Sequence, residues 1–144
     1  MKIKVINRSA FDLPQYETVN AVGLDVRANT TEAIRLAPLE RAMVPTGLYV
    51  EIPEGYEIQV RPRSGLAAKY GISVANAPGT IDPDYRGEIK VILVNLSNDV
   101  FELKPGERIA QLVVAQFTRI EWECVEQLSD TERGAGGFGS TGRK

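Results

Sequence analysis

Two carboxylates flank a proline in the stretch Gly79-Thr-Ile-Asp-Pro-Asp-Tyr-Arg-Gly87. A fixed carboxylate can orient a water and draw off its proton, which is general-base chemistry. Asp82 follows the apolar Ile81 and is expected to face a cleft, with Asp84 facing water. Pro83 pre-sets a turn, and an aspartate at its first corner has a plain turn-forming explanation too. The chain contains no histidine, which excludes Ser-His-Asp triads, Cys-His dyads and histidine metal sites. Its one cysteine, Cys124, excludes thiolate zinc sites and an internal disulfide and fits a reducing compartment. A general base must therefore be a carboxylate, Lys or Tyr. Any metal must be a hard cation on oxygen ligands, such as magnesium, calcium or manganese.

Three further segments have the composition to meet phosphate or metal. In the stretch Arg61-Pro-Arg-Ser-Gly-Leu-Ala-Ala-Lys-Tyr-Gly71, Ser64 is expected to cap a short helix over Leu66–Tyr70, with Gly71 at its end. Arg61 and Arg63 would flank that helix N-terminus and make an anion site, unless the stretch is a solvated turn with two surface arginines. In Ala21-Val-Gly-Leu-Asp-Val-Arg-Ala28, Asp25 is bracketed by apolar residues and reads as a hydrogen-bonded structural acid or as a metal-facing one. The tail, Arg-Gly-Ala-Gly-Gly-Phe-Gly-Ser-Thr-Gly from Arg133 to Gly142, is too rich in glycine to fold alone. Gly137 and Gly142 stand at the spacing of a phosphate-binding P-loop, but Arg143 replaces its lysine and no helix can follow. Glycine backbone amides with Ser140 and Thr141 could still converge on phosphate, once ligand contacts offset the cost of ordering them.

The elements that must position these residues are strands. Period-two alternation predicts strands over Lys2–Ile6, Ala42–Val44, Leu48–Ile52, Tyr56–Arg61, Glu88–Leu96 and Arg108–Phe117. They are cut by turns at Pro45-Thr-Gly47, Pro53-Glu-Gly55, Pro78-Gly79 and Pro105-Gly106. Many short strands and one short helix predict an all-β sandwich or barrel. A length of 144 residues suits one domain, and no linker or repeat divides it. With 43% hydrophobic and 25% charged residues, the composition is that of an ordinary soluble globular protein. No secretory signal or membrane-length apolar run is visible. Seventeen basic against nineteen acidic residues, net −2, disfavour stable nucleic-acid binding, which needs extensive phosphate neutralisation.

Taken in order, the blocks AVGLDVRA, RPRSGLA, Asn76 with GTIDPDYRGEI, PGERIAQL and RGAGGFGSTG closely resemble the five motifs of the trimeric dUTPase family. The resemblance runs from Leu13-Pro14-Gln15-Tyr16 to Lys144. It implies a distorted β jelly roll, a homotrimer with active sites between subunits, and a cytoplasmic enzyme that hydrolyses dUTP to dUMP and diphosphate with Mg2+. By the same resemblance, residues 1–128 form the β domain. Residues 129–144 form a flexible arm that crosses to a neighbour and closes over its nucleotide.

Residue by residue, the resemblance makes Asp82 the acid that activates the water attacking the α-phosphorus, and Tyr85 the ring against the deoxyribose. Asn76 reads uracil, and Asp25 holds magnesium through water. Arg63, Ser64, Gly65 and Gln111 contact phosphates. Arg133, Gly139, Ser140 and Thr141 belong to the closing arm, and Phe138 stacks on the base. Val22 departs from the alanine usual before the motif-one glycine, and a β-branched residue at a packing position there is expected to shift the backbone beside Asp25. Two other readings are a dCTP deaminase, which shares the fold and trimer, and a noncatalytic nucleotide-binding or regulatory module.

Overall fold

The computed structural model describes residues 1–140. Ten strands and one helix follow in the order β1 (Lys4–Asn7), β2 (Gly23–Arg27), β3 (Ile34–Leu36), β4 (Arg41–Glu51), β5 (Tyr56–Arg61), α1 (Ser64–Tyr70), β6 (Ile72–Val74), β7 (Gly79–Ile81), β8 (Glu88–Asn95), β9 (Phe101–Leu103) and β10 (Arg108–Gln116). Two four-stranded sheets, β1-β4-β8-β6 and β2-β10-β5-β7, face each other, with the ribbon β3-β9 beside them. Every pairing is antiparallel. This is the expected all-β, distorted jelly-roll sandwich with one short helix.

Alternation builds the core. Along β8, Ile89, Val91 and Leu93 are fully buried while Lys90 between them is exposed. They meet Val26, Val44, Val60, Ile109 and Leu112 from the neighbouring strands and the facing sheet. Branched side chains suit such a half-buried pleated surface, and each fully buried one stabilises by about 1.5–3 kcal/mol.

The predicted break at Pro45-Thr46-Gly47 is not a break. One strand, β4, runs through it, because the extra residues are taken up as a bulge between the pairs Pro45–Lys90 and Tyr49–Glu88. Thr46 Oγ1 donates to the Ile89 carbonyl at 2.6 Å, and Gly47 N–H donates to Glu88 Oε1 at 2.8 Å. Thus the bulged groups keep partners. The first strand also starts later than expected, at Lys4. Strands β2, β3, β6, β7 and β9 are three to five residues long, too short for alternation to announce them.

One corner device occurs twice. Asn7 Oδ1 accepts from Ser9 N–H and Oγ, while Asn7 Nδ2 donates to the Phe11 carbonyl. Asn95 Oδ1 accepts from Ser97 N–H and Oγ, and Asn95 Nδ2 donates to the Asp99 carbonyl. Each clamp docks on a glycine in the left-handed region. Arg8 N–H donates to Gly47 O at 2.8 Å, and Leu96 N–H donates to Gly71 O at 2.8 Å, with φ of 72° and 66° at the two glycines. A Cβ at either glycine would meet Ser9 or Ser97 within 3 Å.

Candidate active site

The outer face of the sheet β2-β10-β5 carries a polar row. Gln111 lies directly across from Asp25 on one side and Arg61 on the other. Opposed residues of antiparallel strands share a face, so the motif-one acid and the motif-four amide are neighbours by register. Gln111 Nε2 donates to the Pro62 carbonyl at 2.9 Å, fixing the amide against the turn that leads into α1. Gly23 makes room for it, since a Cβ there would collide with Gln111 Oε1. Val22 is not at a packing position: its side chain is largely exposed just before β2, so a β-branched residue there crowds nothing in the core.

Asp25 is a half-buried acid with two cations. Arg63 Nε and Arg108 Nη1 reach the same oxygen, Oδ2, at 3.1 and 3.0 Å. Arg108 Nη1 also meets Glu17 Oε1 at 3.1 Å. Oδ1 takes no part in these ion pairs. Of the two sequence readings of Asp25, the structural one is visible in these ion pairs. Among the described residues of the single chain, no group of three or more His, Cys, Asp or Glu is placed to hold a metal ion. A single hard carboxylate oxygen does fit magnesium, which keeps most of its waters and takes substrate phosphates as ligands.

The helix differs from expectation at its start. Arg63, not Ser64, is the N-cap, with extended φ −89° and ψ 128° and no side-chain capping bond. Its guanidinium is turned away from the helix, to Asp25 and to the Arg108 carbonyl, where Nη1 donates at 3.1 Å. Arg61 is bound to Gln59 Oε1 through Nε and Nη2. The two arginines therefore do not flank the helix N-terminus as a ready pair. Ser64 and Gly65 form the first turn, and Gly71 ends the helix in the left-handed conformation as expected.

Asp82 and Tyr85 stand elsewhere. Tyr85 N–H donates to the Asp82 carbonyl at 3.2 Å, closing the turn that Pro83 initiates. Asp82 and Tyr85 line a small cleft with Thr80, Ile81, Glu88 and Lys90, and Asp84 is not part of its wall. Asn76 precedes this hairpin, with a cis Ala77–Pro78 bond beside it. Its amide nitrogen would lie 3.2 Å from a Cβ at Gly79, which is paired to Val60. Ile81 pairs with Ile58 near the start of β5, and Gln111 pairs with Arg61 at its end. Three residues of strand, roughly 10 Å, separate those levels. The Asp82 cleft shares no lining residue with the clefts around Asp25, Arg63 and Arg108.

Up to Ser140 the tail bonds to itself. Among the described residues, the hydrogen bonds of Thr131–Ser140 stay within that segment, including Arg133 Nε to the Gly136 carbonyl at 2.8 Å. Phe138 is fully exposed at a positive φ of 49°, followed by Gly139 at 86°. Thr141 lies outside the described residues. Ile120, Trp122, Val125 and Leu128 are exposed as well. No helix among the described residues is long and apolar enough to cross a membrane. Sequence reasoning missed Arg108 and Glu17; only the β2–β10 register, a long-range pairing, brings Arg108 to Asp25.

Comparison with known proteins gives one answer. The family model described as dUTPase matches residues 9–142. A deoxyuridine 5'-triphosphate nucleotidohydrolase of Fusobacterium nucleatum is 58% identical over 143 residues, covering 99% of this chain and 98% of the relative. One of Cytophaga hutchinsonii is 58% identical over 141 residues, covering 98% and 92%. Among solved structures, the dUTPase of Staphylococcus bacteriophage 80alpha with dUPNHPP superposes with a TM-score of 0.87 at 28% identity, covering 98% of each chain. With all five motifs in order on the matching fold, the chain belongs to the dUTPase family.

Proposed function

We propose that this protein hydrolyses dUTP to dUMP and diphosphate as a homotrimer whose active sites are shared between subunits. The observation that carries the shared site is the separation of the Asp82–Tyr85 cleft from the Asp25–Gln111–Arg63 cluster. One reacting α-phosphorus needs both, and a neighbouring copy can supply the missing half. Exposed Ile120, Trp122, Val125, Leu128 and Phe138 support the same reading, since so much apolar surface in one segment marks a docking strand or arm. Residues 1–128 are then the body, and residues 129–144 the arm that closes on another subunit.

In the assembled site Asp82 orients a water and accepts its proton as the water oxygen bonds to the α-phosphorus. The bond from that phosphorus to the bridging oxygen breaks, and diphosphate leaves. Arg63, Ser64, Gly65 and Gln111 hold the phosphates, so that charge is met by fixed donors as it shifts. Asp25 would hold Mg2+ through water, and the ion supplies charge neutralisation on the triphosphate. Asn76 and the hairpin backbone read the uracil edge, and Tyr85 packs against the deoxyribose. The arm brings Phe138 to the base and Arg133, Ser140 and Thr141 to the γ-phosphate, with Gly139 allowing the bend. Closure excludes all water but the attacking one.

The test is incubation with dUTP, dCTP, dTTP and UTP plus Mg2+, with products identified. The expected result is dUMP and diphosphate from dUTP alone. Ammonia from dCTP would replace the reading with a deaminase, and absence of any turnover would replace it with a binding module.

A further inference from the structure

We propose that Gly87 is a specificity-determining residue: lacking a side chain, it seats the Tyr85 ring and thereby sets the preference for deoxyribose over ribose. The inference rests on the reading that Tyr85 packs against the sugar. Gly87 is not among the glycines with positive φ, so φ alone does not call for glycine there. What glycine supplies here is space. A Cβ built at Gly87 would collide with Tyr85 Oη and lie 2.5 and 2.9 Å from ring carbons Cζ and Cε2. The ring thus lies flat across the Gly87 backbone.

Two other contacts define the seat. Tyr85 Oη donates to the Glu88 carbonyl at 3.0 Å, and Tyr85 N–H closes the turn to Asp82. The anchor is rigid. Glu88 opens β8 opposite Tyr49, and its side chain accepts from Gly47 N–H in the bulge of β4. With the ring nearly half exposed, little else holds it. A methyl group at position 87 would force the ring back by about 1 Å to reach ordinary contact, off the Glu88 carbonyl and out of its defined place. The wall fitted to a 2′-carbon without oxygen is then lost, for dUTP as support and for UTP as obstacle.

The experiment compares kcat/KM for dUTP and UTP in Gly87→Ala, Tyr85→Phe, Tyr85→Ala and the double variant Tyr85→Phe/Gly87→Ala. Gly87→Ala is expected to lower the dUTP-to-UTP ratio by about 10-fold or more, without a comparable change in melting temperature. Removing Oη relieves the closest collision, so Gly87→Ala is expected to cost less selectivity when Tyr85 is already Phe. Loss of selectivity in Tyr85→Ala with a wild-type ratio in Gly87→Ala overturns the role of Gly87. An unchanged ratio in Tyr85→Ala overturns the reading of Tyr85 itself. Should Gly87→Ala not fold, proton NMR of the wild type decides: Tyr85 ring to Gly87 Hα cross-peaks are expected, and their absence overturns the seat.

Discussion

Arg63 pairs with Asp25 through Nε and Oδ2 at 3.1 Å. The same guanidinium donates from Nη1 to the Arg108 carbonyl, so the pair is oriented as well as attracted. A lysine supplies the charge without that fork. Arg63→Lys is expected to raise the Mg2+ concentration for half-maximal turnover by about 10-fold, since groups that orient a metal-facing acid usually matter by 10–100-fold. Magnesium titration at saturating dUTP measures it. An unchanged midpoint would mean that Asp25 needs no such orientation.

Asp82 and Arg63 line separate clefts, so the proposed shared site can be divided between subunits. Asp82→Asn is expected to cut turnover by about 10²–10⁴-fold with nucleotide binding largely kept. Arg63→Ala should also be severely impaired. Co-refolding the two variants in equal amounts should restore activity at roughly a quarter of the sites, because random trimers unite an intact Asp82 with a neighbour's intact Arg63 that often. A site built within one chain would recover nothing.

Cutting the chain after Glu132 should leave the melting temperature and solution mass close to those of the full protein. The core is complete by β10, and no hydrogen bond of Thr131–Ser140 among the described residues reaches it. Turnover of dUTP should fall by about 10²-fold or more, the scale expected when positioning and water exclusion are lost. Normal turnover in the truncated chain would leave the arm without a catalytic part.

Asn95 and Asn7 make the same clamp bonds in different surroundings, Asn95 fully buried and Asn7 exposed, and Asn95 adds one more. Asn95→Ala strands buried partners, including the Leu36 carbonyl, and should cost about 2–4 kcal/mol. Asn7→Ala should cost about 1 kcal/mol, because water can take over there. Denaturant unfolding of both variants checks the difference.

The sequence made the sandwich legible through strands long enough to alternate, such as β5 and β10, and pointed to the family and to a candidate site through five ordered blocks. What it hid is mostly long-range. Pro45 and Gly47 look like a turn, yet the bulge is satisfied by Glu88 and Ile89 from another strand. Ser64 looks like a cap, yet the cap position falls to Arg63, whose backbone is extended and whose side chain pairs with Asp25 rather than with the helix. Nothing local links Arg108 or Glu17 to Asp25. The separation of Asp82 from the polar row follows only from the pairing of β5 with both β7 and β10.

The twin Asn-x-Ser clamps have a consequence for how this fold can change. Each one settles the direction in which the chain leaves a sheet within five residues, before the following loop has begun. The loop content after Phe11 or Asp99 is then free of any duty to steer. The first of these loops supplies Leu13 to Glu17, which wall an open cleft reaching Asp25 and Arg108. Sequence drift in that wall can retune the approach to the acid while the barrel beneath it keeps its course, much as a hinge-pin lets a door be rehung without touching the frame.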